Sequence, residues 1–549
     1  MGHLEETRRR NPAYQKGRQV DETALDDLVP LFKPVDLSRD RLIENLHVIQ
    51  DRFGHLSTAH LAALARLMKM SQAEVYEVAT FYHHFVVVKE GEAPPPPLTV
   101  RVCESLTCHM NGAQALYRDI AADLEPAVRV VPGPCMGACD KAPAVAVGKV
   151  QVPKATVVAV NHEAAGGGCL QDLPETAFDF SQWTALLEGG GDRQTIAEII
   201  EASGLKGLGG AGFPTARKWS FFKDAPHPRY LAVNADEGEP GTFKDRWCME
   251  NHPARVLTGA LIAAWAIEAS AIYIYLRDEY PLAREILKKA ITALEAEGLT
   301  GGIKIHLRRG AGAYICGEES ALLESLEGKR GLPRHKPPYP AQAGLFGQPT
   351  LINNVETLFW IPEILEKGAD WFASQGRNGA KGLRLYSVSG RVAEPGVKLA
   401  PAGMTLNKLI VEYCGGMAEG HELAAYLPGG ASGGILPGSK ADIPLDFGTL
   451  EAEGCFIGSA AVVVLSQADD VRDIARNLLG FFADESCGQC TPCRAGTAKA
   501  LKLMEAEDWD EGLLRELSQA MRDASICGLG QAAPNPLLSV LNHFRETER

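Results

Sequence analysis

What this 549-residue chain lacks narrows its role first. It has no run of about eighteen apolar residues, so no helical span of a bilayer is expected. Its N-terminus has no apolar core of the kind that opens a secretory signal, and the chain is read as cytoplasmic. It has no excess of positive charge. Against 69 acidic residues stand 55 Lys and Arg, leaving a net charge of −14, which argues against a general nucleic-acid or membrane surface. One basic cluster, Arg8, Arg9, Arg10, Lys16 and Arg18, is broken by Pro12 and Gly17 and reads as a solvated tail. No short-period repeat is visible. In a chain that is not secreted, the 13 cysteines favour metal ligation over disulfides.

Eight of those cysteines fall into two groups. Cys487-Gly-Gln-Cys490-Thr-Pro-Cys493 brings three thiols into one turn, and Cys527 follows at a distance. Three thiols at C-x₂-C-x₂-C spacing with a remote fourth suit a [4Fe–4S] cluster; structural zinc is the alternative, although zinc ribbons usually pair two C-x₂-C knuckles. Cys103 and Cys108, then Cys135 and Cys139, each follow a strand-like segment. Four such thiols suit [2Fe–2S], with zinc or two unconnected pairs as alternatives. The scattered Cys169, Cys248, Cys316, Cys414 and Cys455 read mostly as small core residues.

The length implies roughly three to five domains. Residues 38–90 read as helices: Leu42, Leu46 and Ile49, then Leu61, Leu64 and Leu67, recur at helical spacing, and Ser71 with Glu74 forms a capping box before Val75 to Phe81. Leu98–Cys103, Ala127–Val131 and Ala144–Val147 read as strands of a small α/β unit. Ala164 to Gly168 reads as a flexible linker. Residues 191–375 mix strand and helix signals with Gly/Pro-rich loops, residues 380–450 read as short strands, and from about 465 Val471, Ile474, Ala475, Leu478 and Leu479 return to helical spacing.

Five segments carry chemistry. Gly204 to Thr215 holds Gly207, Gly209, Gly210, Ala211 and Gly212 ahead of Phe213; amides freed of Cβ atoms can cradle phosphates, though the spacing is not that of a plain dinucleotide fingerprint. Asn234-Ala-Asp236-Glu237-Gly-Glu239-Pro makes a rigid acidic loop able to accept ribose or amide hydrogen bonds. Tyr314, Gly317, Glu318 and Glu319 form a third segment, and Lys336-Pro-Pro-Tyr339 offers a stiff aromatic. Asn353, Asn354 and Thr357 supply amides and a hydroxyl. Taken singly, the glycine-rich element is also compatible with a structural loop and the acidic one with a solvated turn.

Together these segments resemble one family. Residues 195–545 are similar to the flavin subunit of respiratory complex I and its relatives in NAD-linked hydrogenases and formate dehydrogenases. Residues 35–160, including Val78-Ala-Thr-Phe81-Tyr82, resemble the neighbouring thioredoxin-like [2Fe–2S] subunit, here fused to the first. The resemblance implies a multidomain α/β protein: a tail at 1–35, a helical domain at 36–92, a thioredoxin-like [2Fe–2S] domain at 98–163, a linker at 164–190, an FMN/NADH-binding domain at 191–378, a ubiquitin-like β-grasp (SLBB) domain at 379–455, and a helical [4Fe–4S] domain at 456–549.

By the same resemblance, Gly207 to Gly212 hold FMN and NAD phosphates, and Lys218 lies near the flavin phosphate. Asn234, Asp236, Glu237, Tyr314, Gly317, Glu318, Asn353, Asn354 and Thr357 match FMN contacts. Phe213, Phe221 and Tyr339 match the aromatic walls around the NAD adenine and neighbouring groups, Lys336 is implied as a further cofactor contact, and Glu239 and Glu319 match the acids at the nicotinamide end, orienting it for direct hydride transfer. Leu208 stands where complex I members carry Arg, with Arg217 as a partial substitute. Tyr275 to Pro281, Glu327 to His335 and the fused layout look most like β subunits of NAD-dependent formate dehydrogenases, which implies a molybdenum- or tungsten-containing α subunit as partner. The alternatives are the diaphorase of a hydrogenase or of complex I, and an electron-transfer scaffold without flavin. The ferredoxin-like cysteine runs of electron-bifurcating relatives do not follow Cys527, which argues against that branch.

Overall fold

A computed structural model of the protein describes residues 19–33, 36–170, 173 and 177–544, which leaves the basic cluster at Arg8–Arg18 outside the described residues. The chain forms two compact units, 1–95 and 96–549. The first is helical. Within the stretch expected as a tail, Asp21 caps a helix at Glu22–Phe32 that buries Ala24, Leu28 and Phe32. Helices Leu42–Phe53, Thr58–Leu67 and Gln72–Phe81 follow. The last begins on the expected capping box: the Glu74 amide donates to Ser71 Oγ at 3.2 Å, and the Ser71 amide to Glu74 Oε2 at 3.1 Å. A cap of this kind contributes about 1 kcal/mol.

The second unit is built on three sheets. β1 (Thr99–Cys103), β2 (Arg129–Gly133), β3 (Val145–Val147) and β4 (Val150–Val152) pair in the order β2-β1-β3-β4. Val100, Val102, Val145 and Val147 are buried between that sheet and helix Ala113–Leu124. The next sheet has β5 (Tyr230–Ala235), β6 (Ala271–Leu276), β7 (Lys304–Arg309) and β8 (Thr350–Asn354), all parallel, in the order β8-β5-β6-β7. Leu231, Val233, Ile272 and Ile274 are buried, as expected of strands covered by helices on both faces. Register places Asn234 opposite Asn354, so two amides stand side by side at the carboxyl ends of neighbouring strands, where open α/β sheets bind ligands.

The third sheet holds β9 (Leu383–Gly390), β10 (Gly396–Pro401), β11 (Leu423–Leu427), β12 (Leu436–Pro437) and β13 (Ala461–Ser466) in the order β10-β9-β13-β11-β12. β9 and β13 are parallel and their outer neighbours antiparallel, a β-grasp arrangement. Its central strand β13 therefore lies beyond residue 455, where that domain was expected to end: a long-range pairing, invisible to local pattern, draws it in. The segment expected as a linker at 164–190 also differs, for it contains helix Ser181–Glu188. Trp183 of that helix is fully buried in the core of the parallel-sheet domain and donates Nε1–H to Leu299 O at 2.6 Å. Four C-terminal helices, Val471–Asp484, Thr491–Leu503, Glu511–Ala524 and Asn535–His543, pack as a bundle.

The β1–β4 domain docks on the parallel-sheet domain through its cysteine loop. Arg277, 4% exposed, donates Nη2–H to Cys135 O at 2.5 Å and Nη1–H to Glu237 O. Gln151 Nε2 donates to Glu279 O at 3.0 Å, and Arg246 pairs with Asp140 at 3.3 Å. Gly137 has φ +62°, and a Cβ there would run into the Tyr280 hydroxyl. Among the described residues, no helix is long and apolar enough to cross a membrane.

Candidate functional site

At the carboxyl ends of β5 and β8 lies a cavity of about 860 Å³. Gly209, Gly210, Ala211, Asn234, Asp236, Glu237, Glu239, Tyr314, Gly317, Glu318 and Asn354 all line it. The glycine loop is held by its own backbone, with Gly207 N–H donating to Phe213 O at 2.8 Å, and is pinned to helix Val355–Lys367 by Leu208 N–H donating to Thr357 Oγ1 at 2.9 Å. Gly209 sits so close to Asn354 that a Cβ would stand 2.9 Å from the Asn354 Cβ. Asn234 Nδ2 donates to Gly317 O at 2.8 Å, and its Oδ1 accepts from the Asp236 amide at 3.1 Å. Asp236 Oδ2 is shielded from solvent and has no hydrogen-bond partner among the described residues; burial pushes its carboxyl well above the usual range.

Two acids on that loop are held differently. Glu237 accepts from the amides of Asp245 (2.7 Å) and Arg246 (3.0 Å) and from the Tyr280 hydroxyl (2.9 Å). Burial, reinforced by Asp245, raises its pKa to about 7. Glu239 reaches the β-grasp domain. Ser432 donates both its amide, at 2.9 Å, and its hydroxyl to Glu239 Oε1, and Ser459 Oγ stands 3.5 Å from Oε2. Burial raises the Glu239 pKa, and the serine hydrogen bonds oppose it.

Other expected residues lie off the cavity wall. Lys336 bridges Glu318 (3.0 Å) and Glu319 (2.6 Å). Lys218 stands 3.9 Å from Glu319 and donates to Ile352 O at 2.9 Å. Phe213 and Phe221 are exposed, with ring centres 6.1 Å apart, and Tyr339 is 55% exposed. Asn353 is buried, its Oδ1 3.5 Å from Trp219 Nε1. Leu208 is buried in the apolar core, and Arg217 lies over the Phe213 ring at 5.7 Å rather than beside the cavity.

Sequence reasoning missed Lys244 and Asp245, both of which line the cavity. Lys244 is fully buried; its Nζ contacts Asp245 at 2.8 Å and Glu356 at 3.0 Å, and Asn354 Nδ2 donates to Asp245 Oδ2 at 2.6 Å. These neighbouring carboxylates outweigh burial and hold its pKa above the ordinary lysine value. The signal was a Lys-Asp pair at the tail of the acidic motif. Ser432 was missed too, and only its contact with Glu239 marks it.

Both thiol sets converge. Cys103, Cys108, Cys135 and Cys139 are buried, with Cys135 Sγ 3.6 Å from Cys139 Sγ and Cys103 neighbouring Cys108 and Cys135. The Ala144 amide donates to Cys108 Sγ at 3.4 Å. In the C-terminal bundle Cys490 leads into helix Thr491–Leu503, and Cys527 into the turn Gly528–Ala532. Gly530 lets that turn approach the first: a Cβ there would stand 2.8 Å from Cys493 Cβ. None of the eight is in a disulfide. Gly528 and Leu529, directly after Cys527, line the large cavity.

Comparison with known proteins matches this geometry. The F 2 subunit of the NADH-quinone oxidoreductase of Rhizobium meliloti is 44% identical over 365 residues, covering 64% of this chain and 87% of that one. The F subunit of the Rickettsia felis enzyme is 42% identical over 383 residues, covering 67% and 90%. The chain belongs to the family of NADH-quinone oxidoreductase F subunits. The family's Nuo51 FMN-binding domain spans residues 200–363, and its iron–sulfur binding region spans 473–549. A thioredoxin-like [2Fe–2S] ferredoxin domain matches 31–163. The air-oxidised and H₂-reduced structures of an NAD⁺-reducing [NiFe]-hydrogenase superpose on the chain with TM-scores of 0.81 and 0.82, at 32% and 31% identity, each covering 93% of both chains.

The residues present fit the cofactors of this family. Asp236 Oδ2 is an acceptor in want of a donor, which a hydroxyl- or imide-bearing cofactor supplies. The Cβ-free face at Gly209 suits a group that approaches backbone. Two sets of four reduced thiols are the donor chemistry of iron–sulfur clusters. FMN, NAD, [4Fe–4S] and [2Fe–2S] are accordingly the cofactors of this chain.

Proposed function

We propose that the chain is the NAD-reactive flavin and iron–sulfur component of a multi-subunit cytoplasmic oxidoreductase, exchanging electrons between NAD and a partner redox subunit. One observation carries the reading: the cavity that gathers the glycine loop, Asn234, Asp236 and Asn354 shares a wall with the turn that follows Cys527. Bound FMN exchanges hydride with a nicotinamide and single electrons with iron–sulfur clusters. The protein positions and tunes. Gly209 to Ala211 and the strand-end amides bind, and Asp236 accepts a cofactor hydrogen. Lys244 keeps one buried positive charge among three acids. Glu239 and Glu319 orient the nicotinamide; neither acts as a general base, since hydride moves directly. Phe213, Phe221 and Tyr339 offer ring faces to the adenine end, with Lys218 and Lys336 beside the phosphates.

A partner of the hydrogenase kind is supported by the shared fused layout over 93% of both chains. The second reading is a molybdenum- or tungsten-containing formate dehydrogenase α subunit, favoured by the residue patterns of Tyr275 to Pro281 and Glu327 to His335. Purifying the assembly through a tag on this chain separates them. Nickel with H₂-driven NAD⁺ reduction supports the first, and molybdenum or tungsten with formate-driven reduction supports the second. A flavin-loaded assembly unable to oxidise NADH with any dye acceptor refutes the diaphorase reading.

A further inference from the structure

A second cavity, of about 590 Å³, opens between the parallel-sheet domain and the β-grasp domain and shares no lining residue with the first. Four cations reach it: Lys206 and Arg217 from the glycine-loop side, Lys381 and Arg384 from the β-grasp side. Two acids, Glu201 and Asp446, also line it. Asp446 is already paired with Arg384 at 3.0 Å. Among the described residues, Lys206, Arg217 and Lys381 form no ion pair. A concave surface with more cations than acids runs against the −14 charge of the chain.

Arg384 gives an independent pointer. It is 4% exposed, and its Nε and Nη1 have no hydrogen-bond partner among the described residues. Nη2 takes Asp446, and the guanidinium carbon lies 4.6 Å from the Phe447 ring centre. Buried donors left without acceptors are unfavourable and rare. Lys381 in turn spans the domain seam: it lies over Gly204, the C-cap of helix Arg193–Ser203, where a Cβ would stand 2.7 Å from Lys381 Cδ.

We propose that this cavity between the two domains is a second ligand site, separate from the flavin and NAD cavity, that takes a phosphate-bearing anion of two or more negative charges. An Arg fork and flexible ammonium groups are the side chains that bind phosphate oxygens. The volume falls in the range of small-molecule sites, leaving room beyond the phosphates against Leu208 and Phe372. Lys206 and Leu208 belong to the loop whose Gly209 to Ala211 line the larger cavity, so an occupant here bears on the back of the cofactor loop. The proposal goes beyond the electron-transfer reading and does not depend on the partner.

The test titrates inorganic pyrophosphate by calorimetry into the holoenzyme kept saturated with NAD⁺, which occupies the phosphate contacts of the first site. One saturable site per chain is expected, with affinity falling as salt rises. Lys381→Glu should weaken it about tenfold or more, the scale of one lost charged hydrogen bond, while Lys381→Arg keeps it; dye-linked NADH oxidation should be unchanged in both. Lys206→Gln should weaken it from the opposite wall, so a folding defect in either variant leaves the other to decide. Absence of saturable binding, or binding that survives both Lys381→Glu and Lys206→Gln, overturns the proposal.

Discussion

Ser432→Ala removes the hydroxyl that holds Glu239 while leaving the backbone amide in place. Among the described residues, two donors from Ser432 and one more distant hydroxyl from Ser459 offset the burial of this carboxylate. A hydrogen bond to a charged group contributes about 1.5–3 kcal/mol, and one pKa unit corresponds to about 1.4 kcal/mol. Losing the hydroxyl should therefore raise the Glu239 pKa further, by a free energy on the order of that one hydrogen bond. If ionised Glu239 orients the nicotinamide, the acidic limb of kcat/KM for NADH moves to higher pH with it while the plateau rate stays near that of the parent. The assay is dye-linked NADH oxidation across pH, which reports groups of the free enzyme. Ser432→Thr should restore the limb, and Glu239→Gln should abolish it. A limb that neither Ser432→Ala nor Glu239→Gln moves would remove Glu239 from the nicotinamide end.

Two further outcomes follow from the geometry. Cys527→Ser should erase the [4Fe–4S] signal in electron paramagnetic resonance and stop exchange with the partner, while dye-linked NADH oxidation persists; partner-linked activity in a protein shown to lack that cluster would break the proposed route. Glu237 has a folded pKa of about 7, above its ordinary 4.5. The stability this gives is full below about pH 4.5 and is lost as pH rises through about 7. Glu237→Gln should thus flatten the fall in Tm between about pH 4.5 and 7, and a slope equal to the parent's would show that Glu237 does not titrate there.

The sequence announced some of this plainly. Cysteine spacing marked the thiols because Cys487 to Cys493 and each of the two loop pairs are local, whereas Cys527 joins its set only through the packing of Gly530 against Cys493. The Asn234 and Asn354 motifs were legible as polar strand ends, and parallel register then set them side by side. What stayed hidden was long-range. β13 enters the middle of the β-grasp sheet from beyond its expected boundary, and Trp183 reaches a core from within an apparent linker. Glu239 and Ser432 meet across 193 residues. Lys244 looked like one more charge in a polar loop, since nothing local shows that Glu356 will close over it. The partner's identity stayed open because its chemistry lies outside this chain.

The docking of the cysteine loop has a consequence for how the protein is made. Cys135 and Cys139, 1% and 5% exposed, pack with Phe243 at the face where two domains meet, and Arg277 clamps the Cys135 carbonyl from the other side. A cluster held by these thiols would be screened from solvent by that packed face. Closure of the small domain onto the flavin domain thus covers these thiols, and access to them requires that face to open. A chain that closes empty would have to part its domains again before it could be loaded.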